Sequence, residues 1–482
     1  MENNIKEVIQ YLKDEKVDYG DIRIIDTIYE SISTENQIVL GIGNSRNRGA
    51  GIRVIHEGSM GFASTNNMDK LVETAAKSVQ IARYSKALQN EKICLAPKDV
   101  VTDTYETPVL IDPFTVPKSD KIEYLLSAER NAKTVQGVSK TSTRMYFHKQ
   151  KKIYADTEGS YITQNFCETG LGMEVMCNNG KDIQIRSYPS AFGGDYRTAG
   201  YEFVLETDLP GNAKRTAEEA VMLINAEVCP EGCFDIILEH SQLALQVHES
   251  IGHPTELDRI FGSEAAYAGM SFVTVDMAKE GFKYGSEHVT IIADATIPGG
   301  LGTFGYDDDG VKAQRTVIID KGRLTGFQTS RDTAVKLGQS SSGACKADNW
   351  HNMPIVRMTN FSLEPGDYEL DELVAGIDDG LMLSTLKSWS IDDKRINFQF
   401  ATEIAYEIKN GKLTGKIFKN PIYTGITPEF WGSCDGICSR KYWKVIGVPN
   451  CGKGQPGQMA HVGHGVAPAR FRNVKVGVGN VK

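Results

Sequence analysis

IRIIDTIYESISTENQIVL, from Ile22 to Leu40, alternates apolar and polar residues with the period of two that a half-buried strand requires. AGIRVIHEGSMGFAST follows and reads as two strands about a turn at Glu57-Gly58. The pattern then changes period. MDKLVETAAKSVQIARYSK and SDKIEYLLSAERNAKTV have helical spacing and good helix formers, with Ser119 the expected N-cap of the second. Between them LAPKDVVTDTYETPVLIDPF is polar and proline-bearing and reads as a long connection. Ahead of all this, Ile5, Val8, Ile9 and Leu12 share one helical face. Strands rich in Tyr, Thr, Ile and Val run from Lys140 to Ser187, and a helix is expected from Thr216. This order suits an α+β domain on antiparallel sheet better than a doubly wound parallel one.

Beyond residue 225 the strands dominate: HVTIIADAT, RTVIIDKGRLTGFQT, IVRMTNFSL and NFQFATEIAYEIKNGKLTGK. Asp320-Lys321-Gly322 and Asn410-Gly411 are strong hairpin signals. The expected architecture is therefore α+β in two domains. Residues 1–225 are expected to form an N-terminal α+β domain with antiparallel sheet, and residues 226–482 a mostly antiparallel, β-rich domain.

The chain has 482 residues, 40% hydrophobic and 24% charged, as an ordinary globular protein does. Its net charge of −9 argues against a nucleic-acid surface. No run of about 18 apolar residues is present to cross a membrane, and the start resembles no signal peptide. Nine cysteines at irregular spacing read as reduced thiols, with some free to ligate metal. A cytoplasmic location is expected.

The chemistry concentrates in His248-Glu249-Ser250-Ile251-Gly252-His253, which lies on a helix expected to begin at Ser241. Two imidazoles and an adjacent carboxylate are the parts of a zinc peptidase site. The histidines would anchor the ion and Glu249 would act as general base towards a zinc-activated water. The spacing is unusual. Five residues on an α-helix turn through about 500°, leaving the side chains about 140° apart. Gly252, with its freedom of backbone angle, and Pro254, which disfavours helical angles at His253, are expected to relieve this. The helix would end at Gly252 or pass through one widened turn. A third ligand is sought near the C-terminus, where Cys451 lies in VPNCGKGQPGQ, read as a glycine-rich loop. His461, His464, Cys434 and Cys438 are rivals. Asn360, Arg331 or a backbone N–H would steady an oxyanion, and the sequence does not choose among them. Asp307 to Asp309 reads as an exposed turn. The aromatic stretch from Glu429 to Lys444 reads as core before cleft lining.

Most of the chain resembles the TldD/PmbA family of peptidases. The resemblance runs through Gly49-Ala50-Gly51-Ile52-Arg53-Val54, Gly61-Phe62-Ala63-Ser64-Thr65, Thr157-Glu158-Gly159 and the HExxxH motif. It continues in Tyr306-Asp307-Asp308-Asp309-Gly310, Arg357-Met358-Thr359-Asn360 and Cys451-Gly452-Lys453. It implies the active, TldD-like kind of subunit, with zinc held by His248, His253 and Cys451 and with Glu249 as catalytic base. It further implies small or unfolded peptides as substrates, gripped by strand pairing, and a homodimer or a heterodimer with a PmbA-like chain. The alternative is a peptide-binding or partner subunit whose metal, closed by a fourth ligand such as His464 or Cys438, is only structural.

Overall fold

A computed structural model describes residues 2–88 and 91–478. The stretch from Ile22 to Leu40 is two strands rather than one. Tyr19–Glu35 turns back into Ile38–His56 about Asn36 and Gln37, both at positive φ (49° and 66°). A two-residue loop of that hand matches strand twist, so the fold-back follows from the turn and not from the alternating pattern. Ser59–Thr65 extends the sheet on one side. Lys140–Asp156 and then Tyr161–Asn178 extend it on the other, all antiparallel. The proline-bearing connection contributes a strand of its own, Thr102–Glu106, which pairs parallel with Tyr161–Asn178 at the edge.

Two pairs of helices cover this sheet. Glu2–Asp14 and Leu71–Ser85 bury Ile5, Val8, Leu12, Ala75 and Val79 against Ile22, Ile24 and Ile52. Lys118–Lys133 and Leu209–Asn225 bury Leu125, Ala128, Ala213 and Ala217 against Met145, Phe147 and Leu171. Ser119 is not the cap of its helix. Pro117 occupies that position, and the Ser119 hydroxyl donates to Asp120 instead.

The second half closes on itself. Asp379–Ile391, Gly232–Leu238, Ala469–Val478, Pro421–Ile426 and Asn397–Lys409 pair in that order, and the first and last also pair with each other. Asn410 and Gly411, at φ 50° and 72°, make the expected tight turn from Asn397–Lys409 into Lys412–Lys419. The turn at Lys321-Gly322 forms in the same way between Arg315–Asp320 and Arg323–Leu324. Strands mixed with covering helices in several largely antiparallel sheets make the fold α+β. No helix among the described residues is long and apolar enough to cross a membrane.

Asp307, Asp308 and Asp309 are buried and not an exposed turn. Lys152 donates to Asp308 at 2.7 Å, and Arg53 donates to Asp309 at 2.7 Å while also holding Asp21. Asp307 accepts backbone N–H groups from Asp309, Val311 and Cys345. Charges leave water only when paired. The pairing cations lie on the N-terminal sheet, so the knot ties the two halves together.

Candidate metal centre

The strand Gly232–Leu238 passes through Glu239 directly into the helix His240–Val247. Ser241 does not cap it. Glu239 holds that position, and the Ser241 hydroxyl accepts the N–H of Leu386. At His248 the winding widens. His248–Gly252 is a π turn, and the N–H of His253 bonds the carbonyl of His248 five residues back. That bond brings His253 round over His248, where an α-helix would set them apart. The ring centroids are 4.8 Å apart.

The local causes differ from those the sequence suggested. Gly252 has φ −57° and ψ −63°, and His253 has φ −61° and ψ −43°, both ordinary helical values. Glycine is required at 252 for space, because a Cβ would stand 2.2 Å from Sδ of buried Met358. Pro254 acts through its missing N–H. The carbonyl of Ser250, four residues back, accepts from the Tyr284 hydroxyl instead. Trp431 is fully buried beneath the turn, its indole N–H donating to Ser250 Oγ at 2.8 Å. This tryptophan belongs to the core.

Cys451 is on a strand, not a loop. Lys444–Lys453 and Gln458–Val466 form a hairpin with a bulge between Val448 and Cys451. A bulge re-aims a side chain. Here it brings Cys451 Sγ to 3.6 Å from His253 Nε2. The donor atoms of His248, His253 and Cys451 all lie within 4.8 Å of one another, and the three residues are buried. Arg357 pins the tip of the hairpin by donating to the carbonyls of Cys451 and Gln458.

Hydrogen bonds fix the ring tautomers. Nδ1 of His464 donates to the Phe361 carbonyl at 2.9 Å, so its Nε2 is bare and accepts from Nδ1 of His248 at 2.8 Å. The lone pair of His248 is thereby left on Nε2. Nδ1 of His253 donates to Glu256 at 2.9 Å, leaving its Nε2 bare towards Cys451. Glu256 is itself held by Lys453 at 3.3 Å. Burial pushes all three imidazoles below the ordinary histidine value, His253 and His464 furthest. Burial alone would raise the Cys451 thiol, but His253 whenever it carries a proton on Nε2, together with the Arg357 guanidinium, outweighs it and brings it below the usual cysteine value. Two neutral imidazoles and an acidified thiol, each with a free donor atom facing the others, fit a zinc-class ion. Neighbours that orient ligands are the usual second layer of such a site.

Glu249 lies on the same turn and lines the same cavity, of about 290 Å³, with Leu245, Trp389 and Arg395. Its Oε2 accepts from Nη1 of Arg395. Arg395 sits at φ 66° in the turn between Asp379–Ile391 and Asn397–Lys409, and no motif marks it. The residues considered for an oxyanion lie elsewhere. Arg331 is taken by Glu158 at 2.8 Å and 2.9 Å, and Asn360 donates to Asp294 and Thr303. Among the rival ligands, His464 serves His248 and His461 turns away to Glu168. Cys434 and Cys438 belong to no metal-competent group among the described residues.

The chain matches three models of the PmbA/TldA metallopeptidases: domain 1 over residues 20–82, the central domain over 111–225 and the C-terminal domain over 231–478. A metalloprotease of Methanothermobacter thermautotrophicus is 31% identical over 464 residues, 96% of each chain. A metalloprotease TldD homolog of Buchnera aphidicola is 26% identical, covering 96% of this chain and 93% of its own. The crystal structure of TldE from Thermococcus kodakarensis shares the fold, with a TM-score of 0.76 at 17% identity over 98% of this chain and 99% of that one. With its buried histidine pair, late cysteine and neighbouring carboxylate, this chain belongs to the PmbA/TldA metallopeptidase family.

Proposed function

We propose that the chain is a zinc peptidase of the TldD kind, with the ion held by His248, His253 and Cys451 and with Glu249 as the base. The observation that carries this reading is the convergence of those three donors within 4.8 Å beside a cavity that Glu249 also lines. Zinc bound there would polarise a peptide carbonyl and acidify a water. Glu249 takes the proton of the attacking water at Oε1, since Oε2 is held by Arg395, and returns it to the leaving amine. Arg395 fixes the carboxylate's rotamer. His464 and Glu256 hold the imidazoles in the tautomers that ligation needs.

Both nitrogens of His464 are engaged, which weighs against a closed, purely structural ion. The substrates in this reading are small or unfolded peptides, held by strand pairing. Ile38, Leu40 and Ile42 are exposed on the first hairpin, and such an apolar patch suits a partner subunit, either a second copy or a PmbA-like chain. Nine cysteines without a disulfide suit the cytoplasm. We place the domain division at 225/226, between the helix Leu209–Asn225 and the strand Gly232–Leu238.

Glu249→Gln tests the reading. The variant should keep its zinc and lose peptide hydrolysis by about 10²–10⁴-fold in kcat. Cleavage at the wild-type rate, with zinc still bound, would overturn it.

A further inference from the structure

The bulged hairpin has two faces. Alternation along Gln458–Val466 sends Ala460, Val462 and His464 towards the proposed zinc site, and Met459 and His461 to the opposite side. There His461 meets two residues of the N-terminal sheet. His148 and Glu168 stand directly opposite each other on neighbouring antiparallel strands. Nδ1 of His461 is 2.6 Å from Glu168 Oε2, and Nδ1 of His148 is 3.2 Å from the same oxygen. The His148 nitrogen is buried and has no hydrogen bond of acceptable angle. The imidazole centroids are 5.6 Å apart. The three donor atoms lie within 4.8 Å of one another, at the wall of a separate cavity of about 280 Å³.

From this geometry we propose that His148, Glu168 and His461 form a second site for a zinc-class divalent ion, clamping the Cys451 hairpin to the N-terminal sheet. Two imidazoles and one carboxylate are a donor set such ions take, with a fourth position open to the cavity. A buried carboxylate facing two imidazoles, one of them short of a hydrogen bond, has unused donor capacity. Nearby cations do not forbid the ion. Lys152 is neutralised by Asp308 at 2.7 Å, and Nζ of Lys346 is turned to the His461 carbonyl, to which it donates at 3.2 Å. The clamp joins strands more than 290 residues apart in the chain, since Glu168 and His461 are separated by 293 positions. An ion there would hold the far face of the same strand pair that presents Cys451.

The test is zinc stoichiometry by equilibrium dialysis of the full chain against Zn²⁺, with folding checked by circular dichroism. Wild type should bind two equivalents. His461→Ala and, independently, His148→Ala and Glu168→Gln should each bind one fewer. Cys451→Ala should lose the other equivalent and keep this one, so failure of the clamp and failure of the peptidase site read out separately. If folded His461→Ala and His148→Ala both bind as much zinc as wild type, the three residues are only a hydrogen-bonded bridge and the proposal falls.

Discussion

Replacing His464 by Phe removes the acceptor of the His248 Nδ1 proton while filling most of the same volume. Both rings are buried, His464 at 0% and His248 at 4% exposure, so no water replaces the lost partner. A buried donor left unsatisfied costs about 1–3 kcal/mol. The ring of His248 then loses both its fixed tautomer and its orientation. Loss of such a supporting partner lowers metal affinity by about 10–100-fold, which corresponds to about 1.4–2.7 kcal/mol. Affinity would be measured by competition with a chromophoric zinc chelator, and apo stability by thermal melting, so that ligand orientation is separated from folding. His464→Gln, whose side-chain oxygen can accept, should recover part of the affinity. A His464→Phe protein that binds zinc within twofold of wild type would refute the assignment of tautomers and the supporting role with it.

Arg395→Met should leave zinc content unchanged and reduce kcat by about 10–100-fold, as loss of a residue positioning the base does; an unaltered kcat measured on a peptide substrate would remove Arg395 from the mechanism. Gly252→Ala should cost about 1–3 kcal/mol in denaturant unfolding through overpacking against Met358, and Met358→Ala in the same chain should relieve part of that strain. Arg53→Ala breaks a buried ion pair with Asp21 and Asp309 and should cost about 3–5 kcal/mol, read as a lower denaturation midpoint. The apo protein should weaken in acid. Because burial depresses the pKa values of His248, His253 and His464, the unfolded chain binds more protons than the folded one below about pH 6.5. Their contribution is complete above that value and is lost as pH falls, with a slope of up to about 1.4 kcal/mol per pH unit for each group. A pH-independent unfolding free energy between 7 and 5 would contradict neutral buried imidazoles.

Much of the fold was legible because its signals are local. The amphipathic face of Ile5, Val8 and Leu12, and the turns at Lys321-Gly322 and Asn410-Gly411, need only a few neighbouring residues to be read. The fold-back at Asn36-Gln37 was hidden because the alternating pattern continues through it and neither residue is glycine. The HExxxH spacing left either a helix end at Gly252 or a widened turn, and a π turn is present, but the reasons offered from single residues were wrong. Gly252 answers to Met358, and Pro254 to Tyr284, both far along the chain. The same distance concealed the burial of Asp308, whose partner Lys152 is 156 residues away. It likewise concealed the role of Arg395 beside Glu249, 146 positions apart. His461 and His464 looked alike in sequence. Strand alternation sends them to opposite faces of the hairpin, and that becomes readable only once the segment around them is known to be a strand and not a loop.

The central claim is that Cys451 joins His248 and His253 on one ion. Absorption spectroscopy of the cobalt-substituted chain tests it most directly, because a thiolate ligand gives a sulfur-to-cobalt charge-transfer band that imidazole and carboxylate ligands do not. The account predicts that band in the wild type and its loss in Cys451→Ala. A cobalt-loaded wild type without the band, or a band that persists in Cys451→Ala, would contradict it.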